Sequence, residues 1–208
     1  MKGKLITFEG VEGGGKSTQA TMLTQRLREL GYEVVTTREP GGTPTGETIR
    51  DILQNDLTGE PISAAAEALL FCASRAQLCE YVLAPALERG AWVVLDRFTD
   101  STLAYQGYGR GFDVEALREM NNFATGRVRP DLTFLIDIPV ELGLERVLSR
   151  SSGARDRIER EPLEFHHRLY AGYLEIQKRE PERIVRIDGL KKQLEVAAEI
   201  WSVVESRL

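Results

Sequence analysis

Apolar residues fall into short continuous runs separated by stretches in which they recur every third or fourth position. Lys4 to Glu9 reads as a short β segment, after which Ala20, Leu23, Leu27 and Leu30 keep helical spacing until Gly31 supplies a stop. Glu33 to Thr37 reads as a second strand, closed by the turn-forming Pro40-Gly41-Gly42 and followed by a helix around Gly46 to Leu53. Ser63 is placed to cap a long helix. Its Leu69, Cys72, Ala76, Cys79 and Leu83 form one stripe, and it ends near Gly90 after a kink expected at Pro85. Ala91 to Asp96, Leu132 to Ile138 and Arg183 to Asp188 supply three more strands. The last two are followed by helical patterns at Val140 to Leu148 and from Leu190 to the C-terminus.

Strands alternating with helices are the sequence form of an α/β fold: a parallel sheet of five strands, helices on both faces and right-handed crossovers. Ligands of such sheets bind beyond the carboxyl ends of the strands. Glu9, Arg38, Asp96 with Arg97, Asp137 and Asp188 all stand where an apolar strand stops, Asp137 and Asp188 being read as solvated ends. No internal repeat, low-complexity tract or long linker interrupts the 208 residues, a length that fits a single domain.

Composition narrows the function. Apolar residues are 42% and charged residues 28%, ordinary for a chain that collapses around a core. The 27 Lys plus Arg against 32 Asp plus Glu give a net charge of −5, without the basic footprint of a nucleic-acid-coating protein. No apolar run approaches the roughly 20 residues that span a bilayer, and Met1-Lys2 leads straight into a strand-like pattern, so a cytoplasmic protein is expected. Cys72 and Cys79, without a CxxC or a His cluster nearby, read as small core residues.

The decisive motif is Gly10-Val11-Glu12-Gly13-Gly14-Gly15-Lys16-Ser17, which satisfies GxxxxGK[ST] and lies between the first strand and the first helix, with Thr18 adjoining. Glycines let successive N–H groups wrap an anion while the helix starting near Lys16 points its positive end at the phosphates. Lys16 is placed for the β- and γ-phosphates of ATP, and the Ser17 hydroxyl for a bridging Mg²⁺. A GTPase would carry a guanine-reading NKxD tetrad, which is absent; the one DxxG match, Asp56-Leu57-Thr58-Gly59, reads as a turn. A chain this short has little room for a mechanical output module, which leaves a small kinase.

Phe71 and Arg75 are i and i+4 on one helix face and could offer a stacking surface beside a guanidinium. Thymine presents an acceptor at O4 where cytosine presents a donor, so an Arg at that edge discriminates between them. A core Phe71 with a solvated Arg75 satisfies the spacing equally. Glu12, Thr37-Arg38-Glu39-Pro40-Gly41-Gly42, Phe71 with Arg75, Asp96-Arg97-Phe98, Tyr105-Gln106-Gly107 and Asp156-Arg157-Ile158-Glu159, taken together, resemble the bacterial thymidylate kinases over nearly the whole chain.

That resemblance implies a three-layer P-loop NTPase fold and transfer of the γ-phosphoryl of ATP to dTMP, giving dTDP and ADP with Mg²⁺, in support of dTTP synthesis. By the same resemblance, Glu39 belongs to the substrate pocket and Thr102 and Gln106 sit near the pyrimidine. Tyr105 crowds the sugar 2′ position, Glu12 approaches the 3′-hydroxyl, and Asp96 joins Ser17 on the metal side. Arg97 forks onto the acceptor phosphate, assisted by Arg38 or Arg50, as doubly charged phosphates favour guanidinium partners. Thymidylate kinases are typically homodimers, so dimerisation is expected as well.

Between Arg146 and Arg160 five arginines, Arg146, Arg150, Arg155, Arg157 and Arg160, stand against Asp156 and Glu159, with Ser151-Ser152-Gly153 as flexible turn residues. This segment, about 146–160, reads as a lid closing over phosphates, the alternative being a charged surface helix with i,i+4 pairs. The P-loop has no Arg of its own, so the resemblance is to the subclass whose catalytic arginine comes from the lid, with Arg150 and Arg155 as candidates. His166 and His167 are expected on a helix surface.

Overall fold

The structure, a computed structural model, describes residues 3–55, 57, 59–126, 128–150 and 156–208, without the Arg150 side chain. The chain runs β1 (Leu5–Glu9), α1 (Lys16–Glu29), β2 (Val34–Arg38), α2 (Pro44–Gln54), α3 (Ala64–Leu78), a π-helical turn (Cys79–Leu83), α4 (Ala84–Glu88) and β3 (Trp92–Asp96). It continues through α5 (Thr99–Thr102), a second π-helical stretch (Leu103–Gly109), α6 (Val114–Thr125), β4 (Leu132–Asp137), α7 (Val140–Arg150), α8 (Leu163–Arg179), β5 (Ile184–Asp188) and α9 (Gln193–Arg207).

The strands form one parallel sheet in the order β2-β3-β1-β4-β5. Leu5 pairs with Val93 on one side and Ile6 with Leu132 on the other, which puts β1 at the centre, buried at all five positions. Alternate residues serve opposite faces. Ile6 and Phe8 pack with Leu23 and Leu27 of α1 and with Ile200 and Val204 of α9. Leu5, Val93 and Leu95 face Leu78 and Leu83, while Leu135 and Ile184 join Leu169 and Tyr173 of α8. A strand covered on both faces must be apolar throughout, which is why the runs were readable.

Some expectations are corrected. Leu69 is 61% exposed; the buried face of α3 instead carries Glu67, Ala68, Cys72, Ser74, Arg75 and Leu78. Ser63 does cap the helix, its hydroxyl accepting from the Ala66 amide at 3.2 Å. Pro85 does not simply kink it: with no N–H to offer the Tyr81 carbonyl and a ring that presses on it, the preceding turn widens to π spacing. Helix α8 went unread although Phe165, Leu169, Tyr173 and Ile176 carry its stripe. His166 is buried on that helix, whereas His167 is exposed, 3.1 Å from Glu141. Asp137 bridges to Arg186 at 2.6 Å and is not a solvated end, whereas Asp188 is exposed. Cys72 and Cys79 are free and buried, and burial together with the nearby Glu39 charge pushes the Cys79 thiol up to about 12. Asp56 and Thr58 of the presumed turn lie outside the described residues.

The loop between β1 and α1 depends on two close approaches. Gly13 has φ 69°, and a Cβ on it would stand 2.2 Å from the Gly143 carbonyl oxygen of α7; one on Gly143 would stand 2.3 Å from the Glu12 carbonyl oxygen. Helix α7 therefore braces the loop from behind, backbone against backbone. Alanine at an α-helical glycine gains about 1 kcal/mol of propensity, but overpacking costs about 1–3 kcal/mol, so Gly143→Ala should be destabilising on balance. Urea unfolding should show the loss, and titration with ATP should show weaker binding because the displaced atoms belong to the loop.

Candidate active site

The carboxyl ends of β1, β2 and β3 open into a cleft of about 310 Å³. Glu12 to Thr18 form one wall, with Glu39, Arg50, Phe71, Asp96, Arg97, Thr102, Tyr105 and Gln106 along the rest. Gly10 and Val11 lie beneath, their carbonyls accepting from the Lys16 ammonium at 3.1 and 2.7 Å. Burial, and secondarily the Arg97 charge, lowers Lys16 to about 8, opposed by Glu12, Asp96 and Glu9. The loop's own neutral carbonyls thus fix the position of the ammonium.

Arg97 follows β3 in a left-handed conformation, φ 69°, its amide fixed to the Phe8 carbonyl at 2.9 Å. That turn aims the side chain back across the sheet ends. Nη1 donates to the Gly10 carbonyl at 3.1 Å, the Ser101 hydroxyl at 3.3 Å and the Tyr173 hydroxyl at 3.2 Å, and Nη2 reaches Glu12 at 2.5 Å. Glu12 also accepts from the Tyr105 hydroxyl at 2.5 Å. Burial raises the Glu12 pKa, but Arg97 and Lys16 outweigh it and hold the carboxyl at about 2. It is an anion at every working pH.

Deeper in, Phe71 is half-buried against the Tyr105 cluster, and the Thr102 and Gln106 side chains are buried beside it. Gln106 Nε2 donates to Glu67 at 2.9 Å, which orients the amide. Arg75 departs from expectation: it is 1% exposed, does not line the cleft and engages its donors internally. Nε and Nη2 grip Glu39 at 2.9 and 2.5 Å, Nη2 also meets the Phe98 carbonyl at 3.0 Å, and Nη1 serves Thr102 at 2.8 Å and Asn121 at 2.6 Å. It is neither a free guanidinium nor a solvated one, but the post that fixes Glu39 and Thr102. At the rim Arg50 donates to the Pro40 carbonyl at 3.0 Å while Arg38 pairs with Glu47 at 2.9 Å.

The arginine-rich segment divides. Arg146 of α7 reaches the Gly13 carbonyl at 3.4 Å. Arg157 turns away from the cleft to the Leu53 carbonyl at 3.1 Å and to Glu67 at 2.6 Å, and Arg160 is exposed beside the Asp156 carbonyl. The Arg150 side chain and residues 151–155, including Arg155, lie outside the described residues. Sequence reasoning missed Ser101 and Tyr173, which bind Arg97, and Gln54, which lines the cleft. Only the α8 stripe gave any signal for Tyr173.

The Ser17 hydroxyl donates to an Asp96 carboxylate oxygen. Among the described residues no cluster of three or more His, Cys, Asp or Glu side chains gathers to cage a metal. Two hard oxygens beside a phosphate cradle nevertheless suit Mg²⁺, which keeps waters and takes few protein ligands.

A phosphate loop at the centre of a parallel sheet, with a second, aromatic-walled pocket joined to it by one arginine, defines a P-loop phosphotransferase acting on two substrates. Residues 8–200 match the family model described as thymidylate kinase. A thymidylate kinase of Synechococcus sp. (strain JA-2-3B'a(2-13)) is 54% identical over 203 residues, 98% of this chain and 95% of that protein. One from Geobacter sp. (strain M21) is 52% identical over 90% of this chain and 84% of its own length. The crystal structure of the thymidylate kinase from Ehrlichia chaffeensis superposes with a TM-score of 0.79 at 32% identity, covering 98% of this chain and 99% of that one. The chain belongs to the thymidylate kinase family.

Removing one partner of a buried ion pair strands the other, at a cost of about 3–5 kcal/mol. Arg75→Met should lose that much in urea unfolding at neutral pH. Burial already raises Glu39, and without the arginine its folded pKa rises further above the unfolded value. A carboxyl raised on folding loses stability as pH climbs above the unfolded pKa, so the deficit should be smaller at pH 5 than at pH 8.

Proposed function

We propose that this chain transfers the γ-phosphoryl group of ATP to the phosphate of dTMP, producing dTDP and ADP, with residues 1–208 acting as one kinase unit. The observation that carries the reading is the position of Arg97, which touches the phosphate loop through Gly10 and Glu12 and also lines the pocket walled by Phe71 and Tyr105.

In this reading Gly10 to Thr18 receive the triphosphate, Lys16 exchanging its carbonyl partners for β- and γ-phosphate oxygens. Ser17 and Asp96 would hold Mg²⁺, which would supply positive charge to the phosphate oxygens. Thymine stacks on Phe71, its edge read by Thr102 and Gln106, with Arg75 holding the Thr102 hydroxyl in place from behind. Tyr105 limits room at the sugar 2′ position and Glu12 receives the 3′-hydroxyl. Arg97 with Arg50, Glu39 steadying the floor, orients the acceptor phosphate. The transition state is loose, so alignment and cationic stabilisation do most of the work, and Arg150 and Arg155 of the lid add charge on closure. The acceptor oxygen is largely anionic at pH 7, since a phosphate monoester has its second pKa near 6, so no strong general base is required.

We place the enzyme in the cytoplasm, where unpaired cysteines persist and ATP is drawn on, with small-molecule substrates and no nucleic-acid partner. No helix among the described residues is long and apolar enough to cross a membrane. We also read it as a homodimer: Leu69 of α3, 61% exposed, and Phe123 of α6, 92% exposed, lie on neighbouring helices as apolar surface.

Arg97→Ala should depress kcat/KM for dTMP at least about 100-fold while KM for ATP stays within about threefold in a coupled ADP assay. Equal loss toward both substrates would sink the assignment. Phe123→Glu should convert the dimer to a monomer in light scattering; a wild-type monomer would refute the dimer.

A further inference from the structure

Glu9 ends the central strand beneath the cleft and is buried to 1%, yet it is a carboxylate where an apolar residue would complete the core. Oε1 accepts from the amides of Phe98 and Ser101 at 2.7 and 3.3 Å, which ties it to the turn carrying Arg97. Oε2 accepts from the hydroxyls of Ser101 and Tyr173 at 2.6 and 3.0 Å. These same hydroxyls, 3.0 Å apart, accept from Arg97 Nη1 alongside the Gly10 carbonyl.

A carboxylate at position 9 only accepts, which permits one continuous direction for these bonds. A hydroxyl has one hydrogen, and a guanidinium is only a donor. When both hydroxyls donate to Oε2 their lone pairs face Nη1, and the chain runs from guanidinium through hydroxyl to carboxylate. A neutral acid or an amide at position 9 can offer a hydrogen of its own, turning a hydroxyl so that its hydrogen faces those of Arg97.

We propose that Glu9, as a carboxylate, is a positioning residue for phosphoryl transfer: by orienting the Ser101 and Tyr173 hydroxyls it aims the Arg97 guanidinium at the acceptor phosphate. This rests on the reading of Arg97 as the ligand of that phosphate. The charged and titratable groups around Glu9 are Asp100 on α5, Arg97 on the β3 turn, Lys16 on α1 and Tyr173 on α8, with Glu12 on the loop acting on both Arg97 and Tyr173. Burial, then Asp100, raises the Glu9 pKa to about 7, against the Ser101 and Phe98 hydrogen bonds and the Arg97 charge. The ionised form therefore becomes populated across neutral pH.

Steady-state kinetics of the wild type, Glu9→Gln and Arg97→Ala from pH 6 to pH 8.5 test this. Glu9→Gln should lower kcat/KM for dTMP about tenfold or more at pH 8 while KM for ATP stays within about twofold. The wild-type to variant ratio should grow as pH rises through about 7, because the amide mimics the protonated acid and the ionisation of dTMP cancels in the ratio. A ratio that is flat in pH, or equal loss toward both substrates, overturns the proposal. If Arg97→Ala loses the acceptor and Glu9→Gln does not, Glu9 has no positioning role and the Arg97 reading stands; if Arg97→Ala spares the acceptor, that reading has failed. Should Glu9→Gln not fold, Tyr173→Phe replaces it: loss selective for dTMP supports the relay, and unchanged dTMP kinetics overturn it.

Discussion

The contact between Arg97 and Glu12 joins two structures that β-sheet pairing alone would leave independent. Glu12 belongs to the loop after β1 and Arg97 to the turn after β3, and although those strands are hydrogen-bonded neighbours, the segments leaving them are free to diverge. A charge-assisted bond at 2.5 Å, with Nη1 on the Gly10 carbonyl, fixes their separation. Burial costs both groups solvation, and the cost is met because each has further partners: Tyr105 on the carboxylate, and Ser101 and Tyr173 on the guanidinium. The separation of the phosphate loop from the turn carrying Arg97 is thereby set by the protein alone, a preorganisation from which a reaction governed by alignment gains most.

A chain of net charge −5 places Lys16, Arg38, Arg50 and Arg97 around one cleft. Their mutual repulsion is visible in Lys16, whose lowering owes its second contribution to Arg97, and in Arg50, lowered by burial and then by Arg38. Glu12 and Asp96 beside Lys16, and Glu47 and Asp156 beside Arg50, offset this concentration of charge. An incoming phosphate relieves the same repulsion, so the acids stabilise the free protein while leaving the cleft receptive to anions.

The strands and the phosphate loop were legible in the sequence because their constraints are local. A strand covered on both faces must be apolar at successive positions, as in Val93-Val94-Leu95, and a loop wrapping an anion must place glycines at set intervals before its lysine. Phe71 was legible as a face but not as a wall, since i,i+4 spacing places Arg75 beside it without saying which way the guanidinium turns. The buried Glu39 decides that, 36 positions away in the chain. Glu9 was legible only as a charged residue at a strand end, because its partners, Ser101 and Tyr173, come from two later elements. Tyr173 sat within a readable stripe, yet periodicity marks it only as inward-facing; its hydroxyl acquires a role through Arg97, which no spacing encodes.

Non-local contacts also fix the phosphate loop from behind. Backbone contact between Gly13 and Gly143 locks the phosphate loop to the start of α7, and Arg146, one turn further on, still reaches the Gly13 carbonyl. Arg157, ahead of α8, ties its own segment to the Leu53 carbonyl and to Glu67. The phosphate loop itself is held from two directions, by α7 through backbone contact and by Arg97 through Gly10 and Glu12. Its geometry is therefore preorganised by contacts that no single element supplies, which is what a reaction governed by alignment requires.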